Sequence, residues 1–332
     1  MQKHISILTM ILFLIVFLFI SISAFAQQYS RKINIGLVPP LSSNWTHAAK
    51  DSNSFSFNVI AGLSAAEKGV AVAGFANIVR HNANGTLIAC FMNTSGGGHG
   101  VELAEFGNFA KKNSGVQVAG FTNIGGDVSA LQIAGFMNLA ENLKGLQLSG
   151  FMNKAKNVRG TQISGFINIA DTAKYQIGLI NISKNGEIEF GASIDENRTI
   201  IASLRSGGKL FYGIVGLGYN VADNKGLYAF EIGLGAHIVH AEPFLFNAEL
   251  TNTSLLNFKG LIYHRSAFAL LPSLHLGNRF TLFAGPSFVA VQASSNGYIF
   301  KRQHYISSWG GQNGKDFQAI YIGYNTGIAI RL

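Results

Sequence analysis

The side chains most able to do chemistry here are His237, His240 and Glu242, close enough in sequence to suggest a metal site. Strand geometry works against it: on an extended segment His237 and Val239 share a face while His240 points the other way, so the donors do not converge. His264 and His275 occur further on. Four glutamates, Glu187, Glu189, Glu231 and Glu249, fall among small residues of alternating stretches. Glu231, Glu249 and His237 are therefore candidates for the polar interior of a barrel. There is no nucleophile elbow, phosphate loop, zinc spacing or EF-hand loop, and Gly96-Gly97-Gly98 is too isolated to cradle a phosphate. Cys90 is the one cysteine after the N-terminal apolar run, so an intramolecular disulfide is excluded. It occupies a slot where other copies of a repeat carry Gly120, Gly135, Gly150 and Gly165, and reads as a small buried substitute for glycine. These residues point to a non-enzymatic protein with no catalytic residue, no cofactor and no metal.

What must position any site is a repeat. The phrase Val116-Gln-Val-Ala-Gly-Phe-Thr-Asn123 returns at Leu131–Asn138, Leu146–Asn153 and Thr161–Asn168, with worn copies ending at Asn77, Asn93, Asn108 and Asn181. From Asn93 to Asn168 the asparagine recurs every fifteen residues. A fixed short period is the mark of a repeat architecture. Two architectures fit. In a β-solenoid each copy is one coil and equivalent residues stack about 4.8 Å apart. Phe121, Phe136, Phe151 and Phe166 would then form a buried column, and Asn123, Asn138, Asn153 and Asn168 a ladder of side-chain amides. In an antiparallel meander each copy is one strand. The solenoid is favoured, because it explains why identical residues are kept at identical places and why Val128, Leu143 and Val158 sit at equal offsets.

The N-terminus adds an address. Lys3 and His4, an apolar run from Ile5 to Ile22, and Ser23-Ala-Phe-Ala26 read as a secretory signal cut after Ala26, with an uncleaved anchor as the other reading. Residues 27–69 form N-terminal strands, such as the alternating Ile33, Ile35 and Leu37, ahead of a repeat module over 70–184 and barrel strands over 185–332. Glycine is abundant at 39 residues and charged residues make 12%, which suits an all-β chain facing something apolar. The net charge is +9. Lys111, Lys112, Lys144, Lys154, Lys156, Arg159, Lys174 and Lys184 gather in the turns between repeats, offset in part by Asp127, Glu141 and Asp171. They are a solvated set of turns or a contact for an anionic glycan or lipopolysaccharide phosphate. No nucleic-acid module is present.

After Gly186 the pattern becomes long alternating strands. Tyr228, Phe230, Ile232 and Leu234 alternate with Ala229, Glu231, Gly233 and Gly235, and Ile320, Ile322 and Tyr324 with Ala319 and Gly323. Runs of around ten residues with apolar and polar faces carry the code of a transmembrane β-strand. About eight such segments follow Gly186, and the N-terminal strands could raise the barrel to ten. Tyr219, Tyr228, Tyr263, Tyr321 and Tyr324 could supply interface girdles, and the stretch from Ser294 to Asp316 an external loop.

The Gln-x-Ala-Gly-Phe-x-Asn phrase, its exit through Gln176-Ile-Gly-Leu-Ile-Asn-Ile-Ser-Lys-Asn-Gly186, and Phe280-Thr-Leu-Phe-Ala-Gly-Pro-Ser-Phe288 resemble uncharacterised surface-repeat and outer-membrane β-barrel proteins of Gram-negative bacteria. The chain departs from them at Leu332, where many such barrels end in Phe. The resemblance implies an exported outer-membrane protein in contact with outer-membrane lipid, with a structural or binding role, and it brings no catalytic residues. A small passive outer-membrane channel and a secreted or periplasmic binding protein are the other readings.

Overall fold

A computed structural model describes residues 33–332 apart from 114, 223–226, 242, 258–261, 278, 294–299, 301–304 and 311–315. The N-terminal stretch read as a signal, the acidic member of the His237, His240 and Glu242 trio, and most of the loop after Ala293 lie outside the described residues. The chain divides into two compact units, one up to Glu141 and one from Asn142. Its fold is all-β: a β-solenoid of about 9 turns and a closed antiparallel barrel of eight strands.

In the first unit the repeats wind as coils. Val116–Ala119 pairs in parallel with Leu131–Ala134, Gln117 opposite Gln132, and Thr122–Val128 pairs in parallel with Gly107–Asn113, Asn123 opposite Asn108. Parallel pairing of identical residues excludes the meander. Each coil is two short strands joined at a Gly-Phe corner, and the second strand leads through the polar turn into the next coil. The N-terminal strands obey the same rule. Ile33 to Gly36 pairs in parallel with Phe55 to Asn58, and Phe55 to Asn58 with Val70 to Ala73. They are coils of the solenoid, so the barrel keeps eight strands rather than ten.

The second unit holds further coils and the barrel. Met152–Ser164 pairs in parallel with Ile167–Ile177, and Asn168 stands opposite Asn181. The barrel strands are Glu187–Asp195, Thr199–Gly207, Phe211–Asn220, Tyr228–Ala241, Phe244–Leu256, Ile262–Leu276, Phe280–Ala293 and Phe317–Arg331. Neighbours pair antiparallel, and the first pairs with the last, Gly191 opposite Ala329, which closes the cylinder and leaves no free edge. A short strand, Ser307–Trp309, adds to the outer end of the last one.

Alternation sorts the barrel side chains. Leu217, Leu250 and Ile322 point outward and are exposed, whereas Ser203, Arg205, Glu231, Glu249, Thr253 and Arg265 are buried inside. The outside is apolar and the inside is mixed, its charged and hydroxyl groups lying beside buried Ile201, Leu255, Val289, Val291 and Phe283; an exposed apolar outside is the reverse of a water-soluble sandwich. The tyrosines divide on the same rule. Tyr219, Tyr228 and Tyr324 face outward, but Tyr263 and Tyr321 are buried within the barrel and cannot belong to girdles. Parity explains it: Tyr321 shares its face with Ala319 and Gly323, the small residues of the interior.

Within this unit the last coil docks on the barrel. The Asn181 backbone N–H donates to Ser206 Oγ at 3.0 Å, and its Nδ2 to the Ser206 carbonyl at 3.2 Å. Gly213, at the start of the third barrel strand, lies so close to the Leu179 carbonyl that any Cβ would collide with it. That end of the barrel also carries the close strand ends Gly207 and Phe211, Ala241 and Phe244, Leu276 and Phe280, and both ends of the strand series. The opposite end carries the strand ends Asn220 and Tyr228, Leu256 and Ile262, and Ala293 and Phe317, which are further apart in sequence, together with the short step from Asp195 to Thr199.

Candidate functional site

Two constellations carry the polar chemistry, and the first is inside the solenoid. Asn123 Nδ2 donates to Asn138 Oδ1 at 2.9 Å and to the Ile133 carbonyl at 2.7 Å. Asn77, Asn93 and Asn108 repeat the pattern, each donating to the asparagine one coil further along. In the second unit Asn153 donates to Asn168 and Asn168 to Asn181. The asparagines are fully buried, so each amide that finds a partner avoids a penalty of about 1–3 kcal/mol.

A glutamine ladder runs beside it in the opposite sense. Gln132 Nε2 donates to Gln117 Oε1 at 2.8 Å, and Gln117 Nε2 donates to Glu102 Oε2 at 2.7 Å. The carboxylate fixes the direction, because it accepts where an amide would both accept and donate. One coil earlier the inward position is Leu87, fully buried, so the ladder has to end in an acceptor. Glu102 is that terminator, and Ser95 Oγ donates to its other oxygen at 2.6 Å. Burial pushes the Glu102 carboxyl above the ordinary glutamate range, with the hydrogen bonds from Gln117 and Ser95 opposing. Glu67 follows the same pattern: burial raises it, and Asn53, Ser56 and Ser64 oppose. Asn53 Nδ2 and Ser56 Oγ both donate to Glu67 Oε1.

Amides hold the interior, and the phenylalanines are outside. Phe75, Phe91, Phe106, Phe121 and Phe136 stack with ring centroids 4.7–5.3 Å apart, as do Phe151 and Phe166 at 5.1 Å. They are 37–49% exposed, which corrects the expectation of a buried column. The Gly-Phe corner breaks the in-out alternation and throws the ring outward while Asn, two residues on, turns in. Cys90 is corrected for the same reason: it sits at this corner, exposed, instead of replacing a buried glycine. The basic residues expected in the turns, Lys111 through Lys184, are exposed.

The second constellation is the barrel interior, where Glu231 and Glu249 are buried. Arg205 Nε donates to Glu249 Oε1 at 3.0 Å, Tyr212 Oη donates to the same oxygen at 2.9 Å, and Arg205 Nη1 donates to Ser203 Oγ at 2.7 Å. Arg205 lies on the second strand and Glu249 on the fifth, so this pair crosses the lumen. Glu231 accepts from Thr253 Oγ1 at 2.9 Å. His237 is only half-buried. It tilts over the Tyr212 ring at 4.7 Å and shares a 2.8 Å hydrogen bond with Asn247, so it lines a recess at the lumen end together with Glu187 and Glu189. Among the described residues no group of His, Cys, Asp and Glu is arranged to hold a metal.

Sequence reading missed the second crossing. Arg265 donates through Nε and Nη2 to Glu196 at 3.0 and 2.9 Å, and Tyr321 Oη donates to Glu196 Oε1 at 2.9 Å. Arg205 and Arg265 could have been found by parity, since each shares its face with small residues such as Ser203 and Ala267. Glu196 could not, because it sits in the turn after the first strand and only folding brings it to the sixth.

The class defined by fold and site is an all-β protein joining an amide-cored solenoid to a closed barrel with an ion-paired interior. No protein-family model matches the chain, and no curated protein matches it. A solved structure described as "De novo design of transmembrane beta-barrels" aligns with 44% of this chain and 94% of its own, at 12% identity and a TM-score of 0.25. A likeness at that level carries no argument.

Proposed function

We propose that this chain is a non-enzymatic outer-membrane protein, in which the barrel is the lipid anchor and the solenoid a structural or binding module. One observation carries the reading: the strands of the closed barrel turn exposed aliphatic and aromatic side chains outward and bury Arg, Glu, Ser and Thr within. In water that arrangement would expose a continuous apolar belt. In a bilayer it is the stable one, since closure satisfies the backbone and the polar side chains pair with each other.

Outer-membrane barrels keep short turns on the periplasmic side and long loops outside. By that rule the end with the short steps from Gly207 to Phe211, Ala241 to Phe244 and Leu276 to Phe280, and with it the docked coil at Asn181, faces the periplasm. The exposed lysines of the turns then offer contacts to phosphate groups of lipid or anionic glycan. Fractionation of the native protein tests the proposal. It should sediment with outer membranes and migrate differently on a gel before and after heating, and recovery as a soluble protein after carbonate extraction would sink it.

The passive-channel reading is disfavoured by the ion pairs. Arg205 with Glu249 and Arg265 with Glu196 bridge an interior that eight strands already leave narrow.

A further inference from the structure

The solenoid is built inside out. In the first unit its interior is mostly asparagine, glutamine, glutamate and small residues, with a few buried aliphatics such as Val79, Leu87 and Val128, while most of the large apolar residues look outward. The outer face of each coil's first strand carries pairs such as Ile33 and Ile35, Phe55 and Phe57, or Leu131 and Ile133, none of them buried. Across the corner, the second strand presents Ile78, Phe109, Ile124 and Leu139 outward, also unburied. Between the two faces runs the stacked phenylalanine ridge. Surface charge gathers on the remaining side, at Arg80, His81, Lys111, Lys112, Asp127 and Glu141, and one carboxylate, Glu105, is exposed at the corner beside Phe106, within reach of the headgroup boundary for a side chain that extends along the ridge.

The cross-section is therefore a wedge with two apolar faces meeting at an aromatic edge, and a charged back. We infer that this wedge is embedded in a lipid leaflet, Phe ridge inward to the acyl chains and charged back toward water. The inference rests on the membrane reading of the barrel, which brings the same chain to a bilayer. A flat partner or a second copy would cover one apolar face and leave the other wet; a fluid hydrocarbon phase covers both. The backbone at the ridge fits the same surroundings. Gly120 N donates to the Ala104 carbonyl, Thr122 N to Phe106, and Phe136 N and Met137 N to Phe121, all at 2.9–3.1 Å. These corner N–H groups are paired coil to coil, as hydrocarbon demands of any backbone it touches. An amphipathic surface of this kind binds in the interface plane, with basic side chains reaching back to the headgroups.

The native Cys90 supplies the probe, because it is exposed at the corner next to Phe91. The full chain is refolded into vesicles of phosphatidylethanolamine and phosphatidylglycerol and labelled there with an environment-sensitive thiol fluorophore. Lipids carrying a nitroxide on the acyl chain serve as quencher. Two further proteins, both in a Cys90→Ser background, place the label at Leu250→Cys on the barrel's outer face and at Lys112→Cys on the charged back. The wedge requires strong quenching at Cys90 and Leu250→Cys and little at Lys112→Cys. Quenching at Leu250→Cys alone overturns the wedge and leaves the barrel reading standing, whereas quenching at neither overturns both. Equal quenching at Cys90 and Lys112→Cys also defeats the wedge, as does oxidative Cys90-to-Cys90 cross-linking in place of quenching, which would put a second copy on the ridge.

Discussion

Glu102 shows how one residue can complete an element. A column of glutamines needs an acceptor at its end that does not ask for a further partner, and a carboxylate is the side chain that meets the need. Its burial has a pH signature. A glutamate whose folded pKa is raised holds its proton more tightly in the folded state, so folding is most stable below the ordinary glutamate range. Stability then falls as pH rises through that range toward the raised value. The urea midpoint of the solenoid transition should decrease from acidic to neutral pH, and the Glu67→Gln, Glu102→Gln double variant should flatten the slope. A midpoint that climbs with pH would contradict the assignment. The two exposed and buried columns should also respond differently. Asn123→Ala removes the donor to the Ile133 carbonyl and to Asn138 Oδ1, while Asn108 keeps the Val118 carbonyl; at about 1–3 kcal/mol for each of the two acceptors it predicts about 2–6 kcal/mol. Phe121→Ser removes a half-exposed ring and should cost about 1 kcal/mol in water, less than full burial would imply. Equal losses in denaturant titrations would mean that the rings, not the amides, hold the coils together.

At the scale of elements, two places depend on close approach across the fold. Gly213 allows the third barrel strand to touch the Leu179 carbonyl, so Gly213→Val should free the last coil from the barrel while leaving the strands paired. Faster proteolysis near residues 178–186, with unchanged heat-modifiable migration, is the expected result. The ion pairs inside the barrel behave as buried charges do. Arg205→Ala leaves Glu249 buried opposite a hole, a loss of about 3–5 kcal/mol, whereas Arg205→Met with Glu249→Leu should recover much of it. Unfolding from lipid vesicles measures both, and a double variant no better than the single one would deny the pairing. The elements themselves were largely readable beforehand. Period two gave the barrel strands and period fifteen gave the repeat, with coils favoured over a meander until parallel pairing decided it. Corners were harder: a Gly-Phe step breaks the alternation, and no pattern in one copy says whether the ring turns in or out.

For the whole molecule, the membrane reading predicts that the purified protein in planar bilayers shows no discrete openings, since Arg205 with Glu249 and Arg265 with Glu196 span the lumen. Sustained unitary conductance would revive the channel. The same reading gives barrel and solenoid a common feature: in both, large apolar side chains are exposed on the outside while most of the polar amides, carboxylates and guanidinium groups are buried.

Two properties were settled by the sequence alone: an all-β chain, and a repeat of fifteen residues, for which stacked coils are favoured over a meander. Both are local consequences of spacing, which any chain with this periodicity would share. Tertiary structure decided the rest. It took the N-terminal strands into the solenoid, closed the barrel at eight, turned Tyr263 and Tyr321 inward, and carried Glu196 from a turn to Arg265. It also put the phenylalanines outside and the amides within. These outcomes depend on which distant backbones become neighbours, and a one-dimensional pattern holds no record of that partner until the coils and strands are laid against one another.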